Sequence, residues 1–169
     1  ASLKLYGPND MGGSKLLKPV QQSFGVLGEA YLEARLYKDL ALKVYRRKFA
    51  MPYLNGNDSR MVPITSETVS LFDTSGEKFV YGVAHTWRMK KRDATDFVSM
   101  TEAAGIEGSD GAVTTAAGRY TFSNNINLAL VNHYGQDFMN ILYTEINSRA
   151  RPIRGLGLQL SAQYSRQNA

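Results

Sequence analysis

Apolar and polar residues alternate along much of the chain. Near its end, Leu156, Leu158, Leu160, Ala162 and Tyr164 interleave with Gly157, Gln159, Ser161, Gln163 and Ser165. Strand side chains point alternately to opposite faces, so this stretch predicts a strand with one apolar and one polar face. A soluble sheet buries such an apolar face in a core. A membrane barrel turns it towards lipid and keeps the polar face in water.

The pattern recurs. Over 29–37, Ala30, Leu32, Ala34 and Leu36 oppose Tyr31, Glu33, Arg35 and Tyr37. After a tight turn at Lys38-Asp39, Leu40, Leu42 and Val44 oppose Ala41, Lys43, Tyr45 and Arg47 over 40–49. Two such runs across a short turn predict a hairpin. Further strands are expected at 66–72, 78–89, 111–122, 126–134 and 138–147. The facing of 78–89 is ambiguous. In 138–147, Leu142, Thr144 and Ile146 oppose Tyr143, Glu145 and Asn147. Residues 1–27 read as an irregular segment with Gly-Pro-Asn-Asp and Gly-Gly-Ser turns and a weak strand at 2–6. Residues 28–169 read as antiparallel barrel strands with long loops at 50–65 and 90–110, the second with a brief helical pattern around 97–104. Residues 148–154 read as a basic turn.

The expectation is therefore about eight strands, most of about 8–12 residues, against ~5–6 in globular proteins and ~9–11 across a membrane. Short and longer connections alternate, as on the two rims of a membrane barrel, with the short turn at 135–137 as an exception. Tyr37, Phe49, Phe72, Phe79, Tyr120, Phe122, Tyr134, Phe138 and Tyr164 fall near strand ends, where interfacial aromatic girdles lie. Aromatics are also frequent in any strand.

Composition narrows the class. The 169 residues suffice for one domain with a sizeable core. There are 20 Lys+Arg and 15 Asp+Glu, a net charge of +5. No cysteine is present, which excludes a disulfide framework and a Cys-ligated metal and suits the periplasmic side of a bacterium. No run approaches the ~18 apolar residues of a membrane helix, which says nothing against barrel strands. With no signal peptide and Ala1 at its start, the chain reads as a mature or truncated product.

No catalytic constellation emerges, so an enzyme and a cofactor are not expected. His85 and His133 lie on different strands without metal-ligand spacing. The glycines of 7–15 fail the phosphate-loop order. Asn55, Asn57 and Ser59 faintly match a calcium loop whose last position is Ser66 rather than Glu. Asn57-Asp58-Ser59 matches a glycosylation sequon, a common chance occurrence.

Ser59 to Pro63 (Ser-Arg-Met-x-Pro), the segment Met89 to Gly105, and Gly118 to Asn125 (Gly-Arg-Tyr-x-Phe-Ser-x-Asn) resemble the OprD family of substrate-specific outer-membrane porins. The resemblance covers most of the chain from about Leu27 to Ala169. It implies an 18-stranded transmembrane β-barrel in the bacterial outer membrane. It also implies a narrow pore, lined by a ladder of arginines and lysines, for small carboxylate-bearing solutes. The chain departs in supplying only about eight strands and in ending Ser-Arg-Gln-Asn-Ala without a terminal aromatic, so it is expected to be an internal fragment or truncated copy.

A channel needs fixed charges on its inner wall rather than a nucleophile. Arginine is always charged and grips a carboxylate with two hydrogen bonds. Arg35, Lys43, Arg47 and Arg119 are the candidates, because each lies opposite an apolar face and would cost ~2–4 kcal/mol pointing at lipid at mid-depth. Arg46 and Lys48 read as rim residues that snorkel. The resemblance places Arg60 in the loop that folds into the barrel and narrows it; a local pair with Asp58 is the plainer alternative. The basic run at 89–93 would attract anions or lipopolysaccharide, or be solvated. Expected partners are small anionic or zwitterionic solutes and outer-membrane lipid, not nucleic acid, in a monomer or weak trimer. The competing readings are a complete eight-stranded structural membrane barrel and a soluble β-barrel that binds an apolar ligand with its leucines inward.

Overall fold

The structure is a computed structural model; it describes residues 2–6, 25–54, 56, 63–91, 94–123, 125–153 and 156–168. The strands are β1 (Ser2–Tyr6), β2 (Val26–Tyr37), β3 (Leu40–Arg47), β4 (Thr65–Asp73), β5 (Phe79–Lys90), β6 (Val98–Ser99), β7 (Val113–Ser123), β8 (Ile126–Gly135), β9 (Met139–Ile153) and β10 (Leu156–Asn168). The short helix α1 (Met100–Ala103) follows β6. Among the described residues these strands form one ten-stranded sheet ordered β1-β2-β3-β4-β5-β7-β8-β9-β10, with β6 on β5. No helix among the described residues is long and apolar enough to cross a membrane.

Each long strand pairs with its neighbour in sequence, as short turns require of antiparallel strands. β9 and β10 keep register from Asn140↔Asn168 to Ala150↔Leu158, with a shift before Leu156. The expected basic turn at 148–154 is instead mostly strand: β9 continues to Ile153 because Arg149 pairs with Gln159 and Ser148 with Leu160. The weak signal at Ser2–Tyr6 is a strand, paired with β2 from Ser2↔Tyr31 to Tyr6↔Val26.

The strand residues divide between two compact units. One contains Ala1–Ala34, Lys43–Val69 and His85–Val113; the other contains Arg35–Leu42, Ser70–Ala84 and Thr114–Ala169.

In the first unit a group of small polar side chains is buried. Thr65, Ser66, Thr68 and Thr86 are all below 5% exposed, and the hydroxyls of Thr68 and Thr86 share a hydrogen bond of 3.0 Å. The segment after β5 is closed by its own hydroxyls. Ser99 caps α1 by accepting from the Glu102 backbone N–H at 3.1 Å. Thr101 donates to the Ser109 carbonyl and accepts from the Gly111 N–H at 2.9 Å. Met100 N–H donates to the Gly111 carbonyl at 3.0 Å, fastening the helix to the approach of β7. The helical pattern expected over 97–104 is thus realised as one four-residue turn.

In the second unit the apolar residues are outside. Phe79, Tyr81, Val83, Tyr120, Phe122, Leu130, Tyr134, Leu160 and Tyr164 are exposed, whereas Val131, His133 and Gly135 are buried. Phe79 stacks on Tyr81 at 5.2 Å, and Tyr120 meets Phe122 edge to face at 4.8 Å. This resolves the ambiguous facing of β5: Phe79, Tyr81 and Val83 lie on the exposed apolar face, while Gly82 and Ala84 are buried opposite. Glycine is required at 82, where a Cβ would stand 2.3 Å from the Phe72 ring and 2.6 Å from the Leu71 carbonyl. At Gly135 a Cβ would stand 2.2 Å from the ring of Phe138. So large an exposed set of aromatic and aliphatic residues suits a lipid-facing wall and not a water-soluble surface. It overturns the alternative of a soluble barrel with its leucines turned inward. Three aromatics leave the expected girdle: Phe49 is 5% exposed, Phe72 packs against Gly82 and Phe138 against Gly135.

Candidate functional site: the polar face of the sheet

In the second unit the polar face is a connected hydrogen-bond surface. Register sets it: Asn127 pairs with Asn147, Ala129 with Glu145 and Val131 with Tyr143 across β8–β9, and Ser161 with Asn147 and Gln163 with Glu145 across β9–β10. Cross-strand neighbours project from the same face, so these polar side chains meet. Glu145 is the centre. It accepts from Tyr143 Oη, from Asn147 Nδ2 at 2.5 Å and from Gln163 Nε2 at 3.0 Å. Asn147 also donates to Asn127 Oδ1 at 3.4 Å and accepts from Ser161 Oγ at 2.6 Å. The carboxylate is held by neutral donors, with no cation in the network among the described residues. On the same unit Thr115 Oγ1 and His133 Nδ1 lie 2.8 Å apart, both buried. His133 is therefore a satisfied strand histidine. Among the described residues no group of three or more metal-ligating side chains is gathered.

Arg119 lies two pleats from Thr115 on β7 and so shares its face, with its side chain exposed. Arg35, on β2, is also exposed.

In the first unit, Lys43 Nζ lies 3.1 Å from Glu33 Oε2, with the two side chains 32% and 30% exposed. Arg47 is half-buried, its guanidinium 5.1 Å from the centre of the Phe49 ring. Arg46, read from sequence as a snorkelling rim residue, is instead tied down. Its Nε donates to Glu67 Oε1 at 2.8 Å, and its guanidinium stacks over Phe97 at 4.2 Å and Tyr45 at 5.1 Å. Tyr45 has a positive φ of 90°, a backbone conformation that few non-glycine residues adopt. Glu67 accepts a second hydrogen bond, from Trp87 Nε1 at 3.0 Å.

The basic run at 89–93 is not a uniformly solvated patch. Lys90 is fully buried, donating to the Pro63 carbonyl at 3.0 Å and the Lys91 carbonyl at 3.1 Å. Lys91 is exposed. Arg92 and Asp93 lie outside the described residues, as do Arg60 and Asp58, the expected constriction pair.

Sequence reasoning placed Glu145 on a polar face and Lys90 in a basic run without giving either a role, and passed over Glu67. The signal for Glu145 was present: an alternating Tyr-x-Glu-x-Asn run opposite a Ser-x-Gln run. For Lys90 none was, because its acceptor lies 27 residues away.

A family model described as outer membrane porin, OprD family, matches residues 1–169. No curated protein matches the sequence. Among solved structures, the chain is similar to a BenF-like porin from Pseudomonas fluorescens Pf-5 (TM-score 0.76, 20% identity, 99% of this chain and 46% of that one). It is similar to the outer membrane protein opdK of Pseudomonas aeruginosa (TM-score 0.76, 19% identity, 90% and 42%) and to Acinetobacter baumannii OccAB2 (TM-score 0.74, 19% identity, 92% and 42%). The chain thus spans less than half the length of these relatives. At such identities the likeness shows the fold, and the family model supplies the rest. Antiparallel β-barrel strands with an apolar outer face and a hydrogen-bonded polar face, matched along their whole length by that model, place the chain in the OprD family of bacterial outer-membrane porins, which are channels and not enzymes.

Proposed function

We propose that the chain forms part of the wall of a channel for facilitated diffusion of small carboxylate-containing or amino-acid-like solutes. Arg35, Lys43, Arg47 and Arg119 are its pore-lining cations, and Arg60 with Asp58 forms the constriction. The observation that carries the reading is the division of the strands. Large apolar side chains are exposed on one face, while charged and amide side chains occupy the other, Arg119 among them. A fixed guanidinium on a wetted wall attracts anions and offers a carboxylate two parallel hydrogen bonds.

Lys43 carries a built-in counterweight. Its pair with Glu33 is partly exposed, worth about 0.2–1 kcal/mol, so it opens readily to a passing carboxylate. The test is the reversal potential of the chain in planar lipid bilayers under a KCl gradient. Glu33→Gln shifts it towards anions, and Lys43→Gln or Arg119→Gln shifts it towards cations. Conductance with a selectivity indifferent to all three substitutions removes these residues from the pore. Outer-membrane lipid surrounds the apolar face in this reading, with lipopolysaccharide at its outer rim.

A further inference from the structure

Arg46, Glu67 and Trp87 form a polar row across three strands of the first unit. Arg46 Nε on β3 donates to one oxygen of Glu67 on β4, and Trp87 Nε1 on β5 donates to the other. β5 fixes the face on which the row lies. Its burial alternates, with Phe79, Tyr81, Val83 and His85 exposed and Gly82, Ala84 and Thr86 buried. Trp87 follows His85 by two residues and stacks near its ring at 6.5 Å, so it continues the exposed face, whereas the Thr68–Thr86 hydroxyl pair lies opposite. That exposed face is the one that suits lipid. A guanidinium and a carboxylate there are costly unless they are paired and covered.

They are both. The side chains of Arg46 and Glu67 are only 24% and 6% exposed. Phe97, from the segment after β5, stands over the guanidinium with its ring centre 4.2 Å away. Such a contact strengthens as water is excluded. The segment that carries Phe97 is closed on itself: the Met100 N–H reaches the Gly111 carbonyl, and the Ser99 and Thr101 hydroxyls reach the Ser109 carbonyl. Its ladder to the sheet is short, Arg88↔Ser99 and Met89↔Val98. We infer that residues 94–111 form a strap folded back over the lipid-facing side of β3–β5, with Phe97 on Arg46 as its clasp, and that this strap seals the Arg46–Glu67–Trp87 row from lipid. Arg46 is then an anchor of the wall and not a pore cation. The side on which the strap lies rests on the channel reading; the clasp does not.

Trp87 is the sole tryptophan, so its fluorescence reports on the row. The full chain is reconstituted in liposomes and quenched from each side, with acyl-brominated phosphatidylcholine in the bilayer and iodide in the water. The native chain is expected to resist both. Phe97→Ala opens the row and raises quenching by the brominated lipid at least twofold, with iodide quenching unchanged; Phe97→Leu restores part of the shield. Arg46→Leu with Glu67→Gln removes both charges together, so no buried carboxylate is left unpaired. That double variant releases the strap: a glutamate-specific protease cuts at the exposed Glu102 at least fivefold faster, while circular dichroism keeps the strand content. Strong lipid quenching of the native chain overturns the seal. Unmasking towards iodide puts the strap on the wetted side and overturns the inference, and unchanged quenching and cleavage in these variants remove the clasp. Bilayer conductance of the same preparations is read separately. Conductance with iodide unmasking defeats the strap alone, and lipid unmasking without conductance defeats the channel reading alone.

Discussion

Thr68 and Thr86 offer a sharp test of how the interior of the first unit is held. Both are fully buried, and their hydroxyls share one hydrogen bond of 3.0 Å. Valine has nearly the same shape, so Thr→Val at either site removes a hydroxyl without opening a cavity. The remaining hydroxyl keeps its burial and loses its partner. A buried polar group left unsatisfied costs about 1–3 kcal/mol, so each single substitution is expected to destabilise by that amount. Replacing both removes donor and acceptor together, and such paired replacements are nearly neutral. The double variant is therefore expected to be more stable than either single one, with a coupling energy of about 1–3 kcal/mol. The assay is denaturant unfolding in detergent micelles followed by fluorescence. Trp87 is the sole tryptophan and adjoins Thr86, so it reports on this site directly. If the double variant loses the sum of the single losses to within about 0.5 kcal/mol, the two hydroxyls are not each other's partners and the packing described for β4 and β5 is wrong.

Two further outcomes follow from the same physics. Gly82→Ala drives a Cβ to within 2.3 Å of the Phe72 ring and 2.6 Å of the Leu71 carbonyl, so overpacking of about 1–3 kcal/mol is expected, seen as a lowered unfolding midpoint that Phe72→Ala does not fully restore because the backbone clash remains. Spin labels at Leu158 and Gln159 in liposomes are expected to part company, the first colliding with oxygen and the second with a water-soluble nickel reagent; equal access at both positions would contradict the two-faced strand.

The long alternating strands were legible because their two faces differ in kind. β10 sets leucines against glutamines and serines, and Gln163 meets Glu145 on the face the alternation assigns to it. β5 resisted because its alternatives, Tyr81-Val83-His85 and Gly82-Ala84-Thr86, are both passable on either side; the Phe79, Tyr81 and Tyr120 ring contacts decide. The end of β9 was hidden by charge. Arg149 and Arg151 look like a turn, yet a ladder with β10 carries the chain to Ile153. In the loop after β5, the Ser99-x-x-Glu102 spacing foreshadows the cap, but the reach of Thr101 to Ser109 and Gly111 follows no period. The pairing of Arg46 with Glu67 likewise joins residues 21 apart. The positive φ at the neighbouring Tyr45 is a backbone conformation that few non-glycine side chains adopt and that sequence pattern does not announce.

In the channel proposed above, the surroundings of Glu145 would bear on speed as much as on structure. Each of its oxygens is already engaged by Tyr143, Asn147 or Gln163. A solute drifting along this stretch would meet a carboxylate with both oxygens already hydrogen-bonded, and amides and hydroxyls committed to one another. Such a surface is wettable but undemanding: it replaces water without gripping what passes. Rapid passage requires sites that a solute can leave as easily as it enters. The same residues that complete the hydrogen bonding of β8, β9 and β10 would thereby lower the friction of the wall they form.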